Sequence, residues 1–353
     1  MIIFLSIIGL SLVILVHELG HFLAAKAAGV RVDEFGIGFP PRLWSRTVGE
    51  TTYSVNALPF GGFVRIHGEQ PAGKSEEEVG DEPERRFGAK PLWKRIGILL
   101  AGVAMNVLFG FVILTGVFAA GAPEHLIVGG VSSGSPAAEA RIVQGDVIAR
   151  ATWGETALAD PIDADAFVAL ARSAAGKTLS LELTGAGGTR TVTLVGRATP
   201  PPGEGSLGIA LTSIGFPALP IHQAIAEAFF QTFRTLGEVA SSFWYLLTNV
   251  FTEPGVLQKV SGPVGIVSFA VRTGELGAVY FFQLLALISL NLVILNLIPF
   301  PALDGGRVLV LLVEKLIRRP IPRRVQIAIN GVGFAALLLL MAIVTVQDVG
   351  KLL

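Results

Sequence analysis

The stretch Val16-His17-Glu18-Leu19-Gly20-His21 interrupts an apolar run, with Ile2-Ile3-Phe4-Leu5 and Leu12-Val13-Ile14-Leu15 before it and Phe22-Leu23-Ala24-Ala25 after it. In a bilayer such a run has one stable form, a helix that satisfies its own backbone hydrogen bonds. Ionisable side chains are costly there and need a partner: a metal, another side chain or a water-filled cavity. Helical spacing supplies one. Residues four apart share a face, so His17 and His21 can turn ring nitrogens toward a single ion, with Glu18 beside them to hold a water. Two neutral imidazoles and a third protein ligand suit Zn²⁺ and leave an open position where water becomes acidic near neutral pH. The competing reading is a helix end solvated at the interface, which leaves the burial of three ionisable groups without a purpose.

The composition agrees with a membrane protein: 52% of residues are hydrophobic and only 15% are charged. Net charge is zero, so no basic surplus points to nucleic acid and charge is informative loop by loop. Cysteine is absent, which excludes disulfides and thiolate ligands and leaves His, Asp and Glu for a metal. No Lys or Arg precedes the first apolar run, which reads as an uncleaved span rather than a signal peptide.

Four segments are long enough to span: 1–24, 96–119, 276–298 and 327–347. The loop 25–95 is basic at both ends (Lys26, Arg31, Arg42, Arg46; Arg85, Arg86, Lys90, Lys94, Arg95), and the last loop carries Arg307, Lys315, Arg318, Arg319, Arg323 and Arg324. The positive-inside rule places both in the cytoplasm. The chain ends and the segment 120–275 then lie outside.

Within the first loop, residues 34–68 alternate β-rich runs with Gly and Pro and read as hairpins. Their apolar character suits a structure that dips toward the bilayer and offers a strand edge to an extended peptide; an ordinary surface hairpin is the alternative. The acidic stretch 76–84 reads as a solvated loop. In the second span Asn106 needs a polar partner, either in a neighbouring helix or in the metal-site network. Residues 121–212 turn Gly- and Thr-rich; Gly134-Ser135-Pro136-Ala137-Ala138 followed by Val143-Gln144-Gly145-Asp146-Val147-Ile148 resembles a PDZ domain. PDZ domains take up peptides as an added strand. Residues 221–251 form an amphipathic pattern suited to the membrane surface or to packing on the neighbouring domain. Ser261-Gly262-Pro263-Val264-Gly265 breaks the chain before the third span. That span runs into Asn296-Leu297-Ile298-Pro299-Phe300-Pro301-Ala302-Leu303-Asp304-Gly305, where broken backbone is tolerated if it lines a cavity. Asp304 is the third-ligand candidate and also stands where a helix near Arg307 would be capped.

Taken together, these motifs resemble the site-2 protease family of intramembrane zinc metalloproteases, in its bacterial RseP-like branch. The resemblance covers nearly the whole chain. It implies a polytopic α-helical membrane protein with four transmembrane helices, a membrane-associated β-hairpin region and one inserted extracytoplasmic PDZ domain. It implies that His17, His21 and Asp304 bind one Zn²⁺, that Glu18 is the catalytic base, and that Asn296, Pro299 and Pro301 shape the substrate-binding region. The loop around Phe60, Gly61 and Gly62 would belong to a membrane-reentrant β-structure that clamps substrate. Family members sit in the bacterial inner membrane with the site near the cytoplasmic side. They cut single-span membrane proteins already trimmed by a site-1-type protease, such as anti-sigma factors or remnant signal peptides. The rival from another class is a PDZ-containing membrane scaffold with a structural metal, for which Glu18 has no use.

Overall fold

The computed structural model describes residues 2–69, 83–185, 188–249, 252–253, 255, 260 and 262–352. Apart from residues 83 and 84, the acidic stretch 76–84 lies outside them. The chain divides into two compact units, Met1–Gly116 with His222–Leu353, and Val117–Ile221.

The first unit opens with α1 (Ile2–Ala27), β1 (Val32–Val48), β2 (Thr51–Ile66) and α2 (Leu92–Ala120), the end of α2 belonging to the second unit. The two strands are long and bulged, and their register makes a sheet of four segments rather than separate hairpins. Glu34–Ile37 pairs antiparallel with Gly62–Arg65, and Arg42–Val48 pairs antiparallel with Thr51–Asn56. Glu34–Ile37 also partners Thr52–Val55, with the residue numbers rising together. The physical tie is Glu34. Its buried carboxylate accepts from Arg42 at 2.6 Å and Ser54 at 2.7 Å and meets Arg65 at 3.3 Å, so one side chain joins all four segments.

This sheet runs along α1. Ser11 Oγ donates to the Pro59 carbonyl, Gly61 lies against Ile14, Gly62 against Leu15, and the Val64 N–H donates to Glu18. From Ser11 to Glu18 a helix rises about 10 Å, so the sheet accompanies α1 well into its length. Ile37, Phe39, Leu43, Trp44 and Leu58 on the sheet are exposed.

The second unit is an antiparallel sheet with two helices, built in the order β3 (Ala122–Val131), α3 (Pro136–Glu139), β4 (Val147–Trp153), β5 (Thr156–Ala159), α4 (Ala164–Ser173), β6 (Thr178–Gly185), β7 (Gly188–Val195) and β8 (Ile209–Phe216). The strand order is β7-β6-β4-β3-β8, with β5 on β4. Alternation fixes its faces: Leu179, Leu181 and Leu183 are fully buried and pack with Leu126, Ile148 and Phe167. β8 ends at Phe216, so the unit extends past residue 212.

The chain returns to the first unit through α5 (Ile221–Asn249), α6 (Pro263–Glu275), α7 (Ala278–Leu297), α8 (Asp304–Ile317) and α9 (Arg323–Leu352). On α5, Ala224, Ala228, Thr232 and Thr235 are buried while Phe229, Phe230, Phe233 and Trp244 are exposed. The Gly-Pro-Val-Gly break opens a further helix, α6, whose Gly265 N–H donates to the buried Asp348 carboxylate at 2.8 Å. Among the described residues, four helices are long and apolar enough to cross a membrane: Phe4–Ala27, Leu92–Ala120, Ala278–Leu297 and Arg324–Gly350. Ala25, Val32, Ile66, Ile98, Leu99 and Leu311 form one core, which joins α1, the sheet, α2 and α8.

Candidate metal centre and its cavity

His17 and His21 occupy one face of α1, one turn apart, and Asp304 is the first residue of α8. Leu303 holds the N-cap position, with no side-chain capping bond, so the helix begins earlier than Arg307 and Asp304 does not cap it. Its carboxylate turns to the histidines instead. His17 Nε2 is 2.9 Å and His21 Nε2 3.3 Å from Asp304 Oδ2, and the two Nε2 atoms are 3.1 Å apart. All three residues are buried. A tetrahedral ion with bonds of about 2.0–2.1 Å spaces its donors about 3.3 Å apart. The triangle therefore fits one zinc-sized ion, and a His-His-carboxylate set leaves a fourth position open.

The outer nitrogens are oriented too. His21 Nδ1–H donates to the Ile98 carbonyl at 2.8 Å, which fixes the tautomer and leaves the Nε2 lone pair where the donors converge. His17 Nδ1 lies 3.4 Å from the Asn106 amide, in a wholly buried residue whose Oδ1 is unpaired. Amide oxygen and nitrogen exchange by a half-turn. With Oδ1 facing His17, the orphaned oxygen accepts Nδ1–H and the Nε2 lone pair is freed in the same step. Ser289 Oγ donates to the Asn106 backbone carbonyl at 2.9 Å, which steadies this part of α2. Asn106→Ala is expected to weaken metal affinity about 10- to 100-fold, the usual cost of losing such a partner, measured by competition with a chromophoric chelator.

Burial pushes the Asp304 carboxyl upward, but the adjacent His17 and His21 rings prevail and hold it below the usual carboxylate range. It is thus ionised, as a ligand must be. Gly102 of α2 faces the triangle: a Cβ there would stand 2.5 Å from His21 Nε2 and 2.8 Å from His17 Cε1. The space that a side chain would fill is the space where the donors meet.

The centre opens into a cavity of about 350 Å³. One wall is α1 with Glu18; a second is the β2 edge at Phe63, Val64 and Ile66; the third is formed by Asn296, Leu303 and Arg307. Glu18 Oε2 accepts from the Val64 N–H at 3.1 Å, so the base candidate is anchored to the strand edge that faces the centre.

The structure thus brings His17, Glu18, His21, Asn296 and Asp304 to one cavity and sets Asn106 behind His17. Pro299 and Pro301 lie in the turn between α7 and α8 and are not among the described residues lining the cavity. Gly61 and Gly62 are buried against α1, and the strand reaches the cavity only from Phe63 onward; the side chain of Phe60 lies outside the described residues. Sequence reasoning missed Gly102, the Ile98 carbonyl, the Val64 N–H and Glu69. At Glu69 burial pushes the carboxyl above its usual range while Arg307 opposes the shift. In the sequence, Arg307 reads only as a topology signal.

A family model described as Peptidase family M50 matches residues 5–340. A Clostridium perfringens protein whose name assigns it provisionally to the zinc metalloproteases is 36% identical over 349 residues, covering 99% of this chain and 98% of that one. The Regulator of sigma-W protease RasP of Bacillus subtilis is 29% identical, with 95% of each chain covered. The Regulator of sigma-E protease RseP of Escherichia coli is also 29% identical, with 98% of each covered.

Proposed function

The chain belongs to peptidase family M50, and from that premise we propose that it is an intramembrane zinc metalloendopeptidase. Its substrates are single-span membrane proteins already trimmed by another protease, cut within the transmembrane segment. The observation that carries this reading is the His17–His21–Asp304 triangle sharing a cavity with Glu18. The names of the sigma-factor regulators among its relatives favour a membrane-anchored regulator of transcription as the substrate.

His17, His21 and Asp304 would hold one zinc ion, which when bound would supply a Lewis acid that makes a water acidic near neutral pH. Glu18 takes the proton of the attacking water and returns it to the leaving amine. The Val64 N–H keeps its carboxylate turned toward the cavity. Asn296, which lines the cavity, would donate to the carbonyl oxygen as negative charge develops on it. A helical substrate hides its carbonyls in its own hydrogen bonds and must unwind first. The Phe63–Ile66 edge, paired on one side with β1 and facing the cavity on the other, is suited to hold the unwound segment as an added strand. The exposed apolar residues of the sheet and its course along α1 support a membrane-reentrant position for it.

The second unit is read as a PDZ domain. In support, β8 is an edge strand, and a cavity of about 400 Å³ lies between it and α4, lined by Phe167, Ala171, Ile209 and Leu211. It would screen the substrate's ectodomain. The positive-inside bias of the basic loops supports a catalytic cavity toward the cytoplasmic side of the inner membrane, with the PDZ domain and both chain ends outside.

The test uses purified protein and a single-span substrate with a shortened ectodomain. Cleavage is expected to stop on dialysis against a chelator and to return with one equivalent of zinc, the circular dichroism staying unchanged. Undiminished cleavage by protein shown to be metal-free would overturn the assignment.

A further inference from the structure

The catalytic cavity has two walls that belong to distant parts of the chain. One is the substrate-facing edge of β2; the other is the turn and first residues of α8, which carry Asp304. At the cavity an ion pair joins them. Arg307 Nη1 donates to Glu69 Oε1 at 2.7 Å, across 238 positions of sequence. The Glu69 side chain is only 10% exposed, and its backbone N–H closes a turn on the Ile66 carbonyl at 3.2 Å, so the carboxylate is fixed directly to the strand end. Arg307 stands three residues after Asp304 and therefore shares its helix face. The first turn of α8 is consequently attached at two points: Asp304 to the histidines of α1, and Arg307 to the end of the β2 edge.

The same pair borders a second space. Glu69, Ala302 and Arg307 line both the catalytic cavity and a second cavity of about 500 Å³, whose far walls include Leu99 of α2 and Phe334 of α9.

Resting on the protease reading above, we infer that Glu69 and Arg307 form a clamp that sets the spacing between the substrate-holding edge and the Asp304 turn, and so decides which peptide bond is presented to Glu18. They are positioning residues and touch no reacting atom. A β-edge by itself tolerates slippage of an added strand, because its backbone hydrogen bonds repeat along the chain. A fixed tie between the strand end and the Asp304 turn removes that freedom. A misplacement of about 1 Å at a reacting centre costs on the order of 100-fold in rate, so the spacing matters to rate as well as to register.

The test compares wild type, Glu69→Ala, Arg307→Ala and the exchanged pair Glu69→Arg with Arg307→Glu, on one single-span substrate, with products mapped by mass spectrometry and zinc measured in each protein. The single variants are expected to lower kcat about 10-fold or more, to add cleavage at neighbouring bonds and to keep their zinc. The exchanged pair is expected to restore the single cleavage position. Single variants that cut the same bond at the wild-type rate overturn the clamp. So does loss of activity in step with loss of zinc, or an exchanged pair no better than the single variants. An inactive wild type would instead count against the protease reading itself.

Discussion

Glu18→Gln is expected to lower the cleavage rate by a factor on the order of 10²–10⁴, the usual contribution of a positioned general base, with zinc content unchanged. Glu18 is not a member of the His17, His21 and Asp304 triangle, so the ligand set survives the change. The amide oxygen of Gln can still accept the Val64 N–H that Glu18 Oε2 accepts at 3.1 Å, and the volume is nearly the same. What disappears is a group able to take a proton. The factor corresponds to about 3–5 kcal/mol of barrier, with no matching change in stability. Cleavage kinetics beside elemental analysis and thermal unfolding check it. Full cleavage by the variant would leave Glu18 without a catalytic role. A wild type that holds zinc and cleaves no single-span substrate would favour a scaffold with a structural metal.

The site was legible where its information is local. His17, Glu18 and His21 fall within one helical turn, and polar groups inside an apolar run announce themselves through their desolvation cost. Asp304 was legible for a related reason, as a carboxylate beside backbone that Pro299 and Pro301 keep from continuing α7. The contacts that orient these groups were not legible. A backbone carbonyl such as that of Ile98, or an amide such as that of Val64, has no letter of its own in the sequence. Arg307 was visible, but a cytoplasmic arginine satisfies the positive-inside rule wherever its side chain points, and nothing local reveals Glu69 as its partner. The β-region shows the same limit at the level of fold. Alternation and the Gly and Pro positions revealed strands, whereas the adjacency of Glu34–Ile37 to Thr52–Val55 depends on Glu34 being buried among Arg42, Ser54 and Arg65. α6 was hidden because its opening Gly-Pro-Val-Gly looks like a break, and Pro at a first helical position starts a helix as readily as it ends one.

Gly102→Ala is expected to abolish zinc binding and to lower cleavage at least about 100-fold, while the protein folds as well as before. Two effects of one methyl group oppose each other. Mid-helix glycine is less favourable than alanine by about 1 kcal/mol, so helix propensity alone makes the variant more stable. The added Cβ, however, would lie 2.5 Å from His21 Nε2 and 2.8 Å from His17 Cε1, inside van der Waals contact with two of the three ligands. The rings can relieve this only by leaving the triangle. His21 would also have to release the Ile98 carbonyl, and His17 the Asn106 amide. Nor can α2 retreat cheaply, because the α1–α2 approach is as close on the other side: a Cβ at Gly20 would stand 2.4 Å from the Ala101 carbonyl, the kind of small-residue contact that packs membrane helices. The same substitution elsewhere on α2 supplies the control. A Cβ at Gly97 or Gly116 meets nothing within 4 Å, so Gly97→Ala and Gly116→Ala should keep both zinc and activity. Zinc content, thermal unfolding and cleavage rate across the three variants decide the matter. If Gly102→Ala retains its metal and its rate, the ion is not held where His17, His21 and Asp304 converge beside Gly102.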